Sequence, residues 1–271
     1  MKVSGFVTFM ACAVCVQAQT PVEKAWTILS GAAQDKSYEK RGKAIHALGV
    51  ITADARARTM AETALSDERE EVRATAADVL GMMRAKESVP KLKAAVQDKA
   101  SSVVFAAANA LFVMGDPAAY QIYYAVLTGQ KKSGDSLADS QMKMLKDPKA
   151  LTQVGLEAGI GFIPFGGVSY KALKMTTADA ASPVRAAAAL KLIGDPDPKS
   201  GQALSDSASD EKWLVRAAAV DALTRRKDPF ALKVITPLLA DENDVVRFNA
   251  AAAVIQLSAP APANAKPPAK K

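Results

Sequence analysis

Asp67-Glu68-Arg69-Glu70-Glu71-Val72-Arg73-Ala74-Thr75-Ala76-Ala77-Asp78-Val79-Leu80 is the stretch that decides the fold. Its frame is an Asp, a Val five residues later, an Arg beside the Val, an Ala pair and a closing Leu. The frame returns as Asp98–Val103–Val104–Ala107–Ala108–Leu111 and as Asp179–Val184–Arg185–Ala188–Ala189–Leu192. It returns again as Asp210–Val215–Arg216–Ala219–Val220–Leu223 and Asp241–Val246–Arg247–Ala250–Ala251–Val254. Asp67 to Asp98, Asp179 to Asp210 and Asp210 to Asp241 are each 31 residues. A fixed internal period of this size is the mark of stacked repeats, each burying its apolar face only against its neighbours. A degenerate copy, Asp35 to Gly49 with Arg41, Ala44 and Leu48, carries the pattern back at an offset of 32.

With the Val at zero, the Ala pair at plus four and plus five and the Leu or Val at plus eight share one helical face. Alanine there lets neighbouring helices approach closely. The Asp stands near the loop-to-helix start, where a carboxylate can cap free amides and meet the positive end of the dipole. A second helix lies between phrases. Ser88 to Val96 carries Pro90 in its first turn, and Asp228 to Leu239 carries Pro229 likewise, where the missing N–H costs nothing. Period-two alternation is missing and aromatic residues are only 6%, so no strand is predicted. The expected architecture is all-α, an α-α solenoid of inner and outer helices.

The pattern Asp-x4-Val-Arg-x2-Ala-Ala-x2-Leu resembles HEAT repeats, in the short form found in bacterial HEAT-like and phycobilin-lyase-like proteins. The resemblance covers 67–115 and 179–257, with two departures: Val104 replaces the Arg, and the step is shorter than the usual ~40–47 residues. It implies a superhelix whose inner helices line a concave, partner-gripping face. Related repeats occur in bilin lyases and in HEAT-like DNA glycosylases, which makes an enzyme the competing expectation.

The rhythm breaks once, between the third and fourth repeats. An outer helix is predicted over 117–127. Then come a polar loop at 129–134, a polar helix at 135–145, a break at Asp147-Pro148 and a helix through 150–158. The stretch Gly159-Ile160-Gly161-Phe162-Ile163-Pro164-Phe165-Gly166-Gly167-Val168 follows. It reads either as a buried crossover in which glycines permit close packing, or as an apolar loop that docks a partner or dips into a membrane. No Gly-Lys-Ser/Thr follows it, so it is not a phosphate cradle.

The ends bound the rest. Lys2, an apolar run over 3–16 and the small-x-small site Val16-Gln17-Ala18 read as a secretory signal peptide over 1–18, and the chain is expected to be exported, periplasmic or extracellular. Cys12 and Cys15 lie within it, so the mature chain has no disulfide, thiol nucleophile or Cys-based metal site. A lipidated Cys12 is the alternative, against which stands the lack of a Leu-like residue three places earlier. Without Lys2, 34 basic residues face 28 acidic ones, a formal charge of +6. Half of that comes from Lys266, Lys270 and Lys271 in a Pro/Ala/Lys tail over 258–271 that reads as disordered. The folded part lacks a basic run of the kind that binds nucleic acid. The expected layout is thus repeats over 19–128, an insertion over 129–168, repeats over 169–257, and the tail.

Three groups of residues are candidates for function. Asp67, Arg73, Asp179, Arg185, Asp210, Arg216, Asp241 and Arg247 form a ladder, expected to tie neighbouring repeats together rather than to bind anions. Phe105, Asn109, Asp221, Phe248 and Asn249 fall on inner-helix positions left over by the core, where an apolar anchor flanked by amides suits protein or peptide capture. Phe162 and Phe165 are candidate contacts in the insertion. His46 is the single histidine and Glu157 a lone carboxylate in an apolar context. Neither makes a mechanism, and no zinc site or His-dependent triad is expected. The expectation is a non-catalytic scaffold without cofactor or metal, binding a protein or peptide, with weak membrane-surface contact as the alternative.

Overall fold

The computed structural model describes residues 19–127, 181–228 and 230–260. Every regular element among them is helical. The N-terminal helices are α1 (Pro21–Ala32), α2 (Tyr38–Ala47), α3 (Ala55–Ala64), α4 (Glu70–Met82), α5 (Val89–Ala95), α6 (Ser101–Val113) and α7 (Ala118–Leu127). The C-terminal helices are α8 (Ala181–Lys191), α9 (Pro198–Ser207), α10 (Trp213–Arg226), α11 (Ala231–Ile235) and α12 (Asp244–Ser258). Even-numbered helices carry the repeated phrase and are the inner ones. The expected signal peptide, the insertion, Asp179 and all of the tail beyond 260 lie outside the described residues.

Local chemistry starts each element. Thr20 caps α1 reciprocally: its Oγ1 accepts from the Glu23 amide at 3.2 Å, and the Thr20 amide donates to Glu23 Oε2 at 2.8 Å. In α4, Val72, Ala76, Ala77 and Leu80 are all buried, as the phrase requires. The phrase's Asp works one step earlier than expected. Asp67 accepts from the Arg69 amide, Asp98 from Ala100, Asp210 from Lys212 and Asp241 from Asn243, at 2.8–2.9 Å. Each carboxylate closes the turn before its helix instead of capping the helix's first amides. The outer helix read as running to Leu239 is cut short at Ile235, and Thr236–Ala240 is a 3-10 turn. Pro237 is the reason: it cannot donate the amide that an α-helix needs there. α12 runs to Ser258, one residue into the expected tail.

Stacking does not follow chain order. α8 packs on α10, α10 on α12, α2 on α4 and α4 on α6. α12 packs on α1 and α2, so the C-terminal repeats precede the N-terminal ones in space. The inner row runs α8–α10–α12–α2–α4–α6, and its joint lies mid-stack. The Thr52 amide donates to Gln256 Oε1 across it at 3.3 Å. Ala25, Leu29 and Trp26 of α1 are buried, as are Phe248, Val254 and Ile255 of α12.

Position in the row changes what a given repeat position does. Val72, Val103, Val215 and Val246 are buried, but Val184 is 69% exposed. It stands on α8, which among the described residues has an inner neighbour on one side only. The expectation that every phrase's Val joins the core therefore fails in that repeat.

α4 and α6 approach closely at Gly81, where an added Cβ would lie 3.0 Å from both Cα and Cβ of Ala110. A larger residue must push two helices apart. Gly81→Leu is expected to lower stability by about 2 kcal/mol in urea unfolding.

Candidate functional site

The ladder arginines are structural ties of one repeated design. Arg73 donates through Nη1 to the carbonyls of Asp67 and Glu68 in its own turn, at 2.9 and 3.2 Å. Its Nε and Nη2 form a fork on the next repeat's Asp98, at 2.7 and 2.8 Å. Arg216 does the same, to the carbonyls of Asp210 and Glu211 and to the Asp241 carboxylate at 2.8 and 2.9 Å. Arg41, from the degenerate copy, makes the same fork on Asp67 at 2.7 Å twice. Arg185 reaches Asp210. The Arg73 fork holds the Asp98 carboxyl below the usual carboxylate range. An arginine whose fork is filled this way offers little to an anion.

The ladder stops at the joint. Arg247 turns to Asp244 of its own helix and to the Asp241 carbonyl. Asp35, the acid the next rung needs, pairs with Lys40 at 3.0 Å instead. α1 is packed against α12 there, and hydrophobic burial replaces the fork.

The remaining inner-helix surface is a stripe of side chains that the core leaves exposed. On α4 it is Glu71, Thr75, Asp78 and Met82, spaced as one helical face. On α6 Phe105 is 47% exposed and Asn109 is exposed. Phe105 lies edge-on to Tyr123 with ring centroids 6.0 Å apart, and Phe112 sits edge-on to Tyr120 and Tyr123 at 5.7 and 5.8 Å. An aromatic cluster thus marks the α6/α7 end.

Phe248 occupies the same repeat position as Phe105 but is 1% exposed. It is a core residue of α12, and its assignment to a partner surface is corrected. Phe162 and Phe165 lie outside the described residues, as does Glu157.

Asp221 and Asn249 meet in a cleft at the middle of the row. His46, Val50, Met82 and Arg225 are among the other residues that line it. α10, α12, α2 and α4 therefore converge here, and only the permuted stacking brings them together. The degenerate repeat that carries His46 hides its place in the pattern. Yet it stands eleven residues after Asp35, as Asp78 does after Asp67, Asn109 after Asp98 and Asp221 after Asp210. That offset was the available signal.

The electrostatics of the cleft are unusual. Burial, with Arg225 nearby, pushes His46 down to about 4. Burial also raises Asp221, against the pull of Arg225. Asp78, exposed on the α4 stripe outside the cleft, is raised by desolvation. His46 is thus a neutral imidazole at physiological pH and carries a stability cost in acid. The unfolded chain takes up a proton below its ordinary value of 6.5 that the folded chain refuses down to about 4. Relative to His46→Gln, the wild type is expected to lose about 2 kcal/mol between pH 7 and pH 5 in denaturant unfolding. A pH-independent difference between the two would refute the burial of an uncharged ring.

No helix among the described residues is long and apolar enough to cross a membrane. The family model for HEAT repeats matches residues 25–112, 57–129 and 171–255, and the chain belongs to that family. Among solved structures, human deoxyhypusine hydroxylase in complex with glycerol is similar at 19% identity, over 87% of this chain and 84% of that one, with a TM-score of 0.29. Nothing among the curated proteins matches the chain. The helical repeat scaffold is therefore a family property, shared by the HEAT proteins.

Proposed function

We propose that the chain is an exported, non-catalytic scaffold that holds a protein or peptide partner on its concave face. The observation that carries this is the open stripe of α4 and α6, where Asp78, Met82, Phe105 and Asn109 mix polar and apolar groups on one surface. Apolar anchors beside hydrogen-bonding groups suit recognition of another polypeptide. Export rests on the N-terminal Lys2, apolar run and Val16-Gln17-Ala18 site. The absence of catalysis is supported by the residues themselves. The mature chain would have no cysteine, and its single histidine is too weak a base to accept protons near neutrality.

The test is fractionation of cells making the full chain, with crosslinking in the exported fraction. The Phe105→Ala/Asn109→Ala double variant is expected to lose the crosslinked species while remaining folded by circular dichroism. Unchanged crosslinking would refute the concave stripe as the binding surface. Retention of the chain in the cytoplasm would refute export.

A further inference from the structure

Four inner helices end on a row of side chains that the packing leaves at least partly exposed. Fifteen residues after the Asp that opens each phrase stand Gln256, Val50, Met82 and Val113. Met82 ends α4, Val113 ends α6 and Val50 ends the 3-10 turn that follows α2. Contacts between the helices keep these ends in line. Gln256 accepts from the Thr52 amide, a Cβ on Gly49 would lie 2.7 Å from Met82 Cε, and Gly81 lies against Ala110 of α6. The row therefore crosses α12, α2, α4 and α6 in that order along one edge of the stack. Met82 is 42% exposed, Val113 43% and the adjoining Phe112 46%. On the other side of α12 the same position, in α10, is Arg225, which shares the central cleft with Val50 and Met82. The apolar row thus runs from α12 toward α2.

The chain leaves α12 at the start of this row. Ala259 follows the last helical residue, Ser258, with φ −65° and ψ 138°, which is polyproline II geometry. Pro260, next in the chain, imposes that conformation on it. The sequence continues Ala261-Pro262-Ala263-Asn264-Ala265-Lys266-Pro267-Pro268-Ala269-Lys270-Lys271. It is too poor in large apolar residues to build a core of its own, but its prolines suit the same extended helix.

The two periods match. Polyproline II turns once in three residues and advances about 9.3 Å per turn, while packed helices lie about 8–10 Å apart. One turn therefore steps from one inner helix to the next. Starting from Ala259 on α12, every third residue is Pro262, Ala265 and Pro268. Lys266 and Lys270 belong to the other two faces of such a strand, where their charges stay in water.

We propose that residues 261–271 dock on their own chain along this edge as a polyproline II strand, with Pro262 at Val50, Ala265 at Met82 and Pro268 at Val113 and Phe112. Tyr120 lies edge-on to Phe112, so the last proline meets an aromatic cluster. Aromatic and apolar surfaces take such strands well because the strand gives up little freedom on binding. The tail is then a built-in ligand of the stack. It shares Met82 with the proposed partner stripe but does not rest on that reading.

Disulfide trapping in the full chain tests the register. With Cys12→Ser and Cys15→Ser as background, Met82→Cys is combined in turn with Ala263→Cys, Asn264→Cys and Ala265→Cys, and each protein is oxidised at low concentration. The expected result is a monomeric crosslink that closes at least fivefold faster with Ala265→Cys than with either neighbour. Equal rates at the three positions would mean a tail with no register and overturn the proposal. Crosslinks recovered as dimers would place the tail on a second copy and overturn it as well. Should Met82→Cys fail to fold, Val113→Cys repeats the comparison, with Pro268→Cys expected to close at least fivefold faster than Pro267→Cys. Partner crosslinking reads the other surface. If Phe105→Ala/Asn109→Ala changes nothing there while the tail keeps its register, the partner stripe falls and the docked tail stands.

Discussion

Phe248→Ala is expected to lower stability by about 4 kcal/mol, whereas Phe105→Ala is expected to change it by less than about 1 kcal/mol. The two residues occupy the same place in the repeat, two after the phrase's Val. Phe248 is 1% exposed and Phe105 is 47% exposed. Removing a buried ring forfeits its transfer energy and leaves a cavity that close-packed helices fill only partly. Phe248 also lies on α12, the helix that receives α1 and α2 at the joint. Its loss should loosen contact between the two halves, and α1 and α2 should lose amide-exchange protection along with α12. Urea unfolding monitored by circular dichroism measures the first effect, and hydrogen exchange the second. Equal costs for the two substitutions would mean that the joint is not packed as described.

Arg216→Ala is the second large effect, expected to cost about 3 kcal/mol. The side chains of Arg216 and Asp241 are 11% and 6% exposed. Truncating the arginine strands a buried carboxylate and two loop carbonyls that it served. Removal of one member of a buried pair is costlier than the pair's own net contribution, since the remaining charge is left desolvated. Arg216→Lys keeps the charge but not the planar fork, and should recover only part of the loss. Arg247→Ala provides the contrast. Its carboxylate partner is on its own helix, and both side chains are more exposed, 23% and 29%, so a cost below about 1 kcal/mol is expected. The difference between Arg216 and Arg247 measures what a complete rung contributes to the register of the stack.

Much of the fold was legible because its chemistry is local and periodic. The Val, the Ala pair and the closing Leu specify a helix with one apolar face wherever they occur, and the Arg and Asp of successive phrases stand 25 or 26 residues apart, ready to pair. Even the degenerate first copy keeps its rung through Arg41. The outer helices were less legible where a second proline intervened: Pro237 competes with the helix that Leu232 to Leu239 would otherwise continue.

The candidate site was legible only in part. Asp221 and Asn249 were picked out by position, but nothing in their spacing said that they face His46. A repeat position specifies a direction from the helix and not a neighbour, and so Phe105 and Phe248 could not be told apart. One is at an end of the described row and the other is in its middle.

The sequence by itself determined the repeat, its period, the inner and outer helices and the Arg–Asp rungs. Those follow from hydrophobic periodicity and from hydrogen bonds that span one repeat. The tertiary structure alone decided the order of the stack. Each inner helix has an apolar side that must be covered, and the sides of different repeats are chemically alike, so chain order does not dictate which repeat covers which. α12 could be covered by any matching surface, and α1, with Ala25, Trp26 and Leu29, supplies it. That choice puts His46 beside Arg225 and makes the central cleft.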